Sequence, residues 1–204
     1  MPLALTSKYQ RKELWNIENG ECIGSFDGHG SGFYSATLSD NGTLALLGYW
    51  DGVAEVWKID PSECTQLLKV VGGIPICSTA LSTNGLLMLR GTRTGIAEAW
   101  SVDTRQFARR FAGHNCAVRA VAFSTKAEYA LTGAEDRIAK VWSMETGDCL
   151  RALCGHKGYI YGAVFSADDH LVLTGSADGT AKLWDAESSE CLRTLTGHVG
   201  PVRA

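Results

Sequence analysis

The sequence lacks the features that mark several large classes of protein. Lys and Arg never occur in a run longer than two, and the net charge is -3 over 204 residues, so nothing attracts nucleic acid or an anionic membrane. The start, MPLALTSKYQ, has neither the basic flank nor the apolar stretch of a secretory signal. No apolar run approaches the roughly 18 residues of a membrane span. We therefore expect no nucleic-acid or membrane partner and a cytoplasmic or nuclear location.

Metal-ligand spacing is also missing, although the chain has seven cysteines. There is no Cys-x-x-Cys pair and no histidine at ligand spacing, so the sequence predicts neither a metal site nor a cofactor. Cys22, Cys64, Cys149 and Cys191 each follow a tryptophan by seven residues, which places them on the last strand of successive units. Such units would hold them apart, and we interpret them as free thiols that act as small buried apolar residues.

What the sequence does have is a long repeat. Tryptophan recurs with spacings of 42, 43, 42 and 42 residues, at Trp15, Trp57, Trp100, Trp142 and Trp184. A Gly-His pair stands 28 residues ahead of three of them, at His29, His114 and His156, and Gly197-His198 opens a further unit. A period of about 40 to 45 residues, with Gly-His early and Trp-Asp late, is typical of four-stranded propeller blades.

On these residues the sequence resembles the WD-repeat family, from about Trp15 to Ala204. The resemblance implies an all-β propeller with four complete four-stranded blades and partial blades at both ends, a fragment of a roughly seven-bladed ring. A closed ring of five, whose ends share one incomplete blade, is the alternative. No linker interrupts the series, so we expect one domain, 1–204. Its repeats are 28–71, 72–112, 113–154 and 155–196, and its partial blades are 1–27 and 197–204.

The fourth repeat shows the expected strands most clearly. Apolar alternation and the tight-turn pair Asp178-Gly179 divide it into four strands. These are Tyr159 to Ser166, Leu171 to Gly175, Thr180 to Asp185 and Glu190 to Leu195. Residues 1–27 are expected to supply only the last two strands of a blade.

The family resemblance also implies a buried tetrad in each blade, formed by a His, a Ser or Thr, the turn Asp and the Trp. Two repeats match it completely, with His114, Thr132, Asp136 and Trp142, and with His156, Thr174, Asp178 and Trp184. The first repeat has His29, Asp51 and Trp57 but carries Leu47 in place of the hydroxyl. The second has Gly72, Arg90 and Thr94 at the equivalent positions, so we expect that blade to be held by packing alone.

The same trio of His, hydroxyl and Asp could also suggest nucleophilic catalysis. A catalytic site needs one exposed nucleophile beside an oxyanion hole and a pocket. Here the trio recurs at equivalent positions of two repeats, which favours a structural network. The Gly-rich stretch Asp27 to Gly32 lacks the Lys-Ser/Thr of a phosphate loop, and we interpret it as a loop between blades. We predict no catalytic residue, no small-molecule substrate and no enzyme activity.

Binding residues are implied by the family as well. In WD-repeat proteins, contacts on the narrower face come largely from the third and fifth residues after the blade His and from the residue before the turn Asp. The candidates at these positions are Tyr34, Trp50, Arg93, Arg119, Glu135, Tyr159, Tyr161 and Arg203. Tyr, Trp and Arg dominate binding hot spots. Trp50 either projects towards the channel rim or packs on a neighbouring loop.

The leading functional interpretation is a non-enzymatic scaffold or adaptor that binds peptides or partner domains on this face. One alternative is a substrate receptor of a cullin-type ubiquitin ligase, a subgroup with Arg two residues after Trp-Asp. Here Trp184-Asp185 is followed by Ala186-Glu187, which weakens that alternative. Another is a regulatory propeller of a larger NTPase or kinase, for which the sequence contains no catalytic motif.

Overall fold

The computed structural model describes residues 3–8, 11–27, 32–60 and 64–203. These residues form nineteen strands. They contain no helix long and apolar enough to cross a membrane.

The strands follow one another in sheets of consecutive elements. The N-terminal partial blade consists of β1 (Leu3–Lys8), β2 (Arg11–Asn16) and β3 (Cys22–Asp27). The first blade is β4 (Phe33–Leu38), β5 (Leu44–Tyr49), β6 (Val53–Lys58) and β7 (Thr65–Val71). The second blade is β8 (Ile76–Leu81), β9 (Leu87–Thr92), β10 (Ile96–Ser101) and β11 (Phe107–Ala112). The third blade is β12 (Val118–Phe123), β13 (Tyr129–Ala134), β14 (Ile138–Ser143) and β15 (Cys149–Cys154). The fourth blade is β16 (Ile160–Phe165), β17 (Leu171–Ser176), β18 (Ala181–Asp185) and β19 (Cys191–Leu195).

Tight turns explain why each sheet is a simple antiparallel meander. Gly52 and Gly179 have φ of +84° and +80°, the left-handed region that glycine adopts without steric cost. A Cβ on Gly52 would also collide with the backbone of Ile74. The Asp-Gly pairs therefore set the hairpins between the second and third strands of the first and fourth blades.

The four blades stand side by side as a partial β-propeller. Their first strands adjoin one another in the order β4, β8, β12 and β16, so these strands are the innermost. Apolar side chains fill the space between neighbouring sheets. Between the third and fourth blades, Leu131 and Leu153 pack with Ile160, Val172 and Trp184. Burial of these side chains stabilises each blade through its neighbours.

Regular bulges recur in the blades. The pairing of the last two strands shifts register directly before the tryptophan in all five sheets. The first strand of each complete blade carries a second bulge near its start. A bulge leaves one residue unpaired, increases the local twist and re-aims a side chain.

The predicted strands of the fourth blade are observed within one residue at most ends. The expectation for residues 1–27 was wrong, because three strands are present rather than two. β1 pairs with β2 along its whole length, and the indole N–H of Trp15 donates to Thr6 Oγ1 at 2.8 Å. No Asp-Gly turn precedes β2 to signal this hairpin in the sequence.

The interpretation of the four repeat-equivalent cysteines as buried was also wrong. They do mark the last strands, but Cys22, Cys149 and Cys191 are exposed and Cys64 is half-buried. The last strand is the outermost strand of each blade, so its first residue lies at the periphery. The buried cysteine is Cys77 on β8, an innermost strand.

One face of the fourth blade is uncovered. Leu173 and Leu195 are 38% and 51% exposed, whereas the repeat-equivalent Leu131 and Leu153 of the third blade are 0% exposed. The segment after β19 follows the path of a next first strand, because Val202 N–H donates to the Ser176 carbonyl at 2.9 Å. The apolar pattern of the fourth blade therefore matches that of a blade with a neighbour on both sides.

Candidate interaction face

The third blade contains a continuous hydrogen-bonded chain in its interior. Asp136 Oδ2 accepts from His114 Nδ1 at 2.7 Å, and His114 Nε2 lies 2.7 Å from Thr132 Oγ1. The Trp142 indole N–H donates to the same hydroxyl oxygen at 2.8 Å. Burial lowers the pKa of His114, against the opposing effect of Asp136. A neutral imidazole with its proton on Nδ1 satisfies every partner in this chain.

The fourth blade repeats this geometry. His156 lies 2.9 Å from Asp178 and 2.8 Å from Thr174, and Trp184 donates to Thr174 at 2.8 Å. Burial alone would raise the pKa of Asp178, but hydrogen bonds from Thr180, the Lys157 N–H and His156 outweigh it and lower that pKa. The Thr132 and Thr174 hydroxyls are fully buried. Neither can reach a substrate, which is a geometric reason against nucleophilic catalysis here.

In the first blade a glutamate accepts the hydrogen bond of the tryptophan indole. Glu55, two residues before the tryptophan, accepts from the Tyr49 hydroxyl at 3.0 Å and from the Trp57 indole at 3.2 Å. Burial, followed by the charge of Glu55, raises the pKa of Tyr49. His29 and the Gly-His pair lie outside the described residues, as does most of the Gly-rich stretch from Asp27 to Gly32. Leu47 is fully buried in the apolar core.

The second blade is not held by packing alone, so that expectation was wrong. Arg90, at the position of the tetrad hydroxyl, donates to Glu98 at 2.7 and 3.1 Å and to the Gly52 carbonyl at 3.0 Å. A Cβ on Gly72 would lie only 2.7 Å from the Arg90 guanidinium. The larger side chain thus occupies the space of the missing histidine. Trp100 Nε1 is buried and makes no hydrogen bond to any described residue.

The sequence contained one signal of these substitutes that its interpretation missed. The residue two positions before the tryptophan is Glu55 or Glu98 in the first two blades and Lys140 or Lys182 in the last two. In the last two blades the lysine ammonium lies over the tryptophan ring, at 5.6 and 6.0 Å. A glutamate at this position therefore indicates a replacement network.

The eight predicted binding residues lie at one end of the blades, which we call the loop face. Four side chains arrive there through the bulges near the starts of the first strands. The residues left unpaired by these bulges are Tyr34, Cys77, Arg119 and Tyr161. Trp50, Arg93 and Glu135 directly follow the second strands, which end at the same face because each blade is antiparallel.

Stacked rings and arginines connect the first and second blades on this face. The Tyr34 and Trp50 rings are 5.4 Å apart and tilted by 36°, and the Arg93 guanidinium lies 5.4 Å from the centre of the Trp50 ring. The Trp50 ring thus packs on neighbouring side chains and stays 42% exposed.

Arg119 links the third blade to the first. Its guanidinium lies over the Tyr34 ring at 5.6 Å, donates to the Tyr34 hydroxyl, and donates through Nε to Glu135 at 2.8 Å. Burial disfavours the charged guanidinium, but the hydrogen bond to Glu135 and the charges of Tyr34, Cys77 and Glu135 together outweigh it, so the pKa of Arg119 is raised. Cys77 of the intervening blade is buried in the same region, and burial raises the pKa of its thiol.

A second group lies on the fourth blade. The Tyr159 and Tyr161 rings meet edge to face at 6.4 Å, and the Arg203 guanidinium lies 5.1 Å over the Tyr161 ring. Two cavities join this group to the first. Tyr161 and Arg119 both line a central cavity of about 250 Å³, and Tyr159 and Glu135 both line a groove between the third and fourth blades. The loop face is therefore one continuous surface.

The comparison with known families agrees with this architecture. The family model described as WD domain, G-beta repeat, matches residues 20–58, 105–143 and 147–185, more than half of the chain. The chain belongs to the WD40 repeat family. The unmatched stretch between residues 58 and 105 contains most of the second blade, where the Arg90–Glu98 pair replaces the tetrad. No curated protein is similar enough to the chain to count as a relative. WD40 repeats generally mediate protein–protein interaction and are typically non-catalytic.

Proposed function

We propose that the chain is a non-enzymatic scaffold or adaptor that binds peptides or partner domains on the loop face. The observation that carries this proposal is the exposure of large aromatic side chains. Tyr34, Trp50 and Tyr159 remain 41%, 42% and 47% exposed although each contacts another ring. Clustered exposed apolar side chains on a soluble protein mark an interaction site, and Tyr and Trp are frequent binding hot spots.

The anchoring of these side chains supports the same proposal. The bulges fix the backbone at Tyr34, Arg119 and Tyr161, and ring stacking restricts the side chains further. A partner would therefore lose little conformational freedom from this surface on binding, and preorganisation of that kind raises affinity.

The experiment is a quantitative pull-down that compares the wild type, Trp50→Ala/Tyr161→Ala and the control Tyr129→Ala. Tyr129 is similarly exposed but starts β13 at the opposite end of the blade from Glu135. We expect the double variant to lose a specific partner by at least about tenfold and the control to keep it. A partner lost only by Tyr129→Ala would move the function to the opposite face.

We also propose that the domain is part of a larger ring, since a further blade would cover Leu173 and Leu195 as the fourth blade covers their equivalents in the third. Leu173→Glu should then have little effect on the stability of the 204-residue chain but destabilise a longer chain that completes the ring. Equal stability of the wild type and the variant in the longer chain would contradict the larger ring.

A further inference from the structure

The eight predicted residues of the loop face carry a net positive charge in a chain that is acidic as a whole. The net charge of the chain is -3, yet the eight face residues include three arginines and only one glutamate. The neighbouring turn carboxylates of Asp136 and Asp178 are directed into the blades, where each accepts a hydrogen bond from a histidine. Neither carboxylate lies within salt-bridge distance of an arginine in the part of the chain that the structure describes.

Three of the four aromatic rings of the face already have an arginine over them. Arg93 lies over Trp50, Arg119 over Tyr34 and Arg203 over Tyr161, at 5.4, 5.6 and 5.1 Å. A cationic ligand would have to displace an arginine to use one of these three rings. An anionic ligand could pair with the guanidinium edges while the stacking stays intact. The geometry therefore favours a negatively charged partner over a positively charged one.

The three arginines differ in how their charge is balanced. Arg119 pairs with Glu135. Among the described residues, neither Arg93 nor Arg203 has a carboxylate within salt-bridge distance, and both are exposed. Arg93 is held against Trp50, beside the Tyr34 ring, so an anion bound there would have an apolar platform next to it.

We propose that the loop face binds acidic peptides, and that Arg93 pairs with a carboxylate or phosphoryl group of the peptide while a neighbouring apolar side chain rests on Trp50 and Tyr34. This inference rests on the proposed function and specifies the chemistry of the partner. Both anionic groups match the planar donor edge of a guanidinium.

The test uses immobilised nine-residue peptides in which the central position is Asp, phosphoserine, Ser or Lys and the other positions are randomised. Wild type is compared with Arg93→Gln and with the control Arg110→Gln, which removes an exposed arginine from the outer strand of the second blade. We expect the Asp or phosphoserine peptides to bind best, Arg93→Gln to weaken them about tenfold, and Arg110→Gln to leave them unchanged. Binding of the phosphoserine peptides alone would identify a phosphoryl group as the anion, and binding of the Asp peptides as well would show that a carboxylate is sufficient. Both results support the proposal.

Two results would overturn it. One is preferential binding of the Lys or Ser peptides, and the other is Asp or phosphoserine binding that Arg93→Gln does not weaken more than Arg110→Gln does. The variant Trp50→Ala/Tyr161→Ala separates this failure from failure of the proposed function. If that double variant loses peptides irrespective of their charge, the face binds peptides but the chemistry inferred here is wrong. If it retains all of them, the loop face is not the binding site and both proposals fail.

Discussion

The second and third blades have the same strand lengths but different polar side chains in their interiors. In each, one residue of the second strand stands opposite the residue two positions before the tryptophan. The pair is Thr132 and Lys140 in the third blade and Arg90 and Glu98 in the second. In the third blade the Thr132 side chain is small, and His114 fills the remaining space. In the second blade the Arg90 guanidinium is large, and Gly72, which has no side chain, leaves room for it.

Both arrangements place a cation over the tryptophan ring. In the third blade it is Lys140, 5.6 Å from the Trp142 ring, and in the second it is Arg90, 6.0 Å from the Trp100 ring. The difference lies in the indole N–H, which is bonded in Trp142 and has no partner among the described residues in Trp100. The blade shape thus follows from the apolar pattern and the turns, while the polar interior can be exchanged even though one indole N–H of the second blade finds no partner in the described part of the chain.

The largest expected effect comes from breaking the ion pair of the second blade. Glu98→Ala leaves the buried Arg90 guanidinium without its carboxylate, and loss of one partner from a buried pair costs about 3 kcal/mol of the free energy of unfolding. Chemical denaturation would measure it, with Glu145→Ala on an exposed turn of the third blade as control. If the two variants are equally stable, packing alone holds the second blade.

A somewhat smaller loss is expected from the third blade. Thr132→Val removes the hydroxyl that joins His114 to Trp142 and leaves His114 Nε2 and Trp142 Nε1 unpaired. The expected cost is about 2 kcal/mol in the free energy of unfolding. Thr132→Ser keeps the hydroxyl and is the matched control. A valine variant that is at least as stable as the serine variant would show that the network contributes nothing to the stability of the blade.

The comparison also shows which parts of the structure the sequence could predict. The strand order follows from residue spacing, because identical spacings place the same side chains at the same points of each sheet. The third- and fourth-blade tetrads follow from the family resemblance, matched to this chain by those spacings. The hydrogen bond of Thr6 and the pairing of Arg90 with Glu98 were not predicted, because these residues depart from the repeat pattern. Their roles depend on volume and register, which only the packed sheets reveal. The contact of Arg119 with Tyr34, across the intervening second blade, likewise depends on how tightly the inner strands curve.

The indole N–H groups of Trp142 and Trp100 allow a direct test of the difference between the third and second blades. Trp142→Phe removes a hydrogen bond to Thr132, whereas Trp100→Phe removes an N–H that already has no partner among the described residues. Each variant also loses apolar area, so the informative quantity is the difference between them. We expect Trp142→Phe to be more destabilising by about 1 kcal/mol in matched thermal and denaturant unfolding. A larger loss from Trp100→Phe would mean that its indole has a partner, such as an ordered water.

The smallest effect expected is a dependence of stability on pH that comes from the tetrad histidine of the third blade. Burial holds the pKa of His114 below its ordinary value of 6.5, and the positive charge of Lys140 acts in the same direction, while Asp136 opposes them. Between that lowered pKa and 6.5 the unfolded chain binds more protons than the folded one. The contribution of His114 to stability is therefore complete above about pH 6.5 and is lost as the pH falls through the folded pKa.

The second blade has Gly72 in place of the histidine and contributes nothing to this slope. Unfolding measured from pH 7.5 down to 5.5 should show a decline for the wild type that is reduced in His114→Asn and unchanged in His170→Asn, an exposed control. The lowered pKa of Asp178 affects stability only below its ordinary value of 3.8, so it does not overlap this range. An equal decline in all three proteins would mean that His114 is protonated to the same extent in the folded and unfolded chain. The neutral tautomer assigned to the third blade would then be wrong, while its hydrogen-bonded geometry could stand.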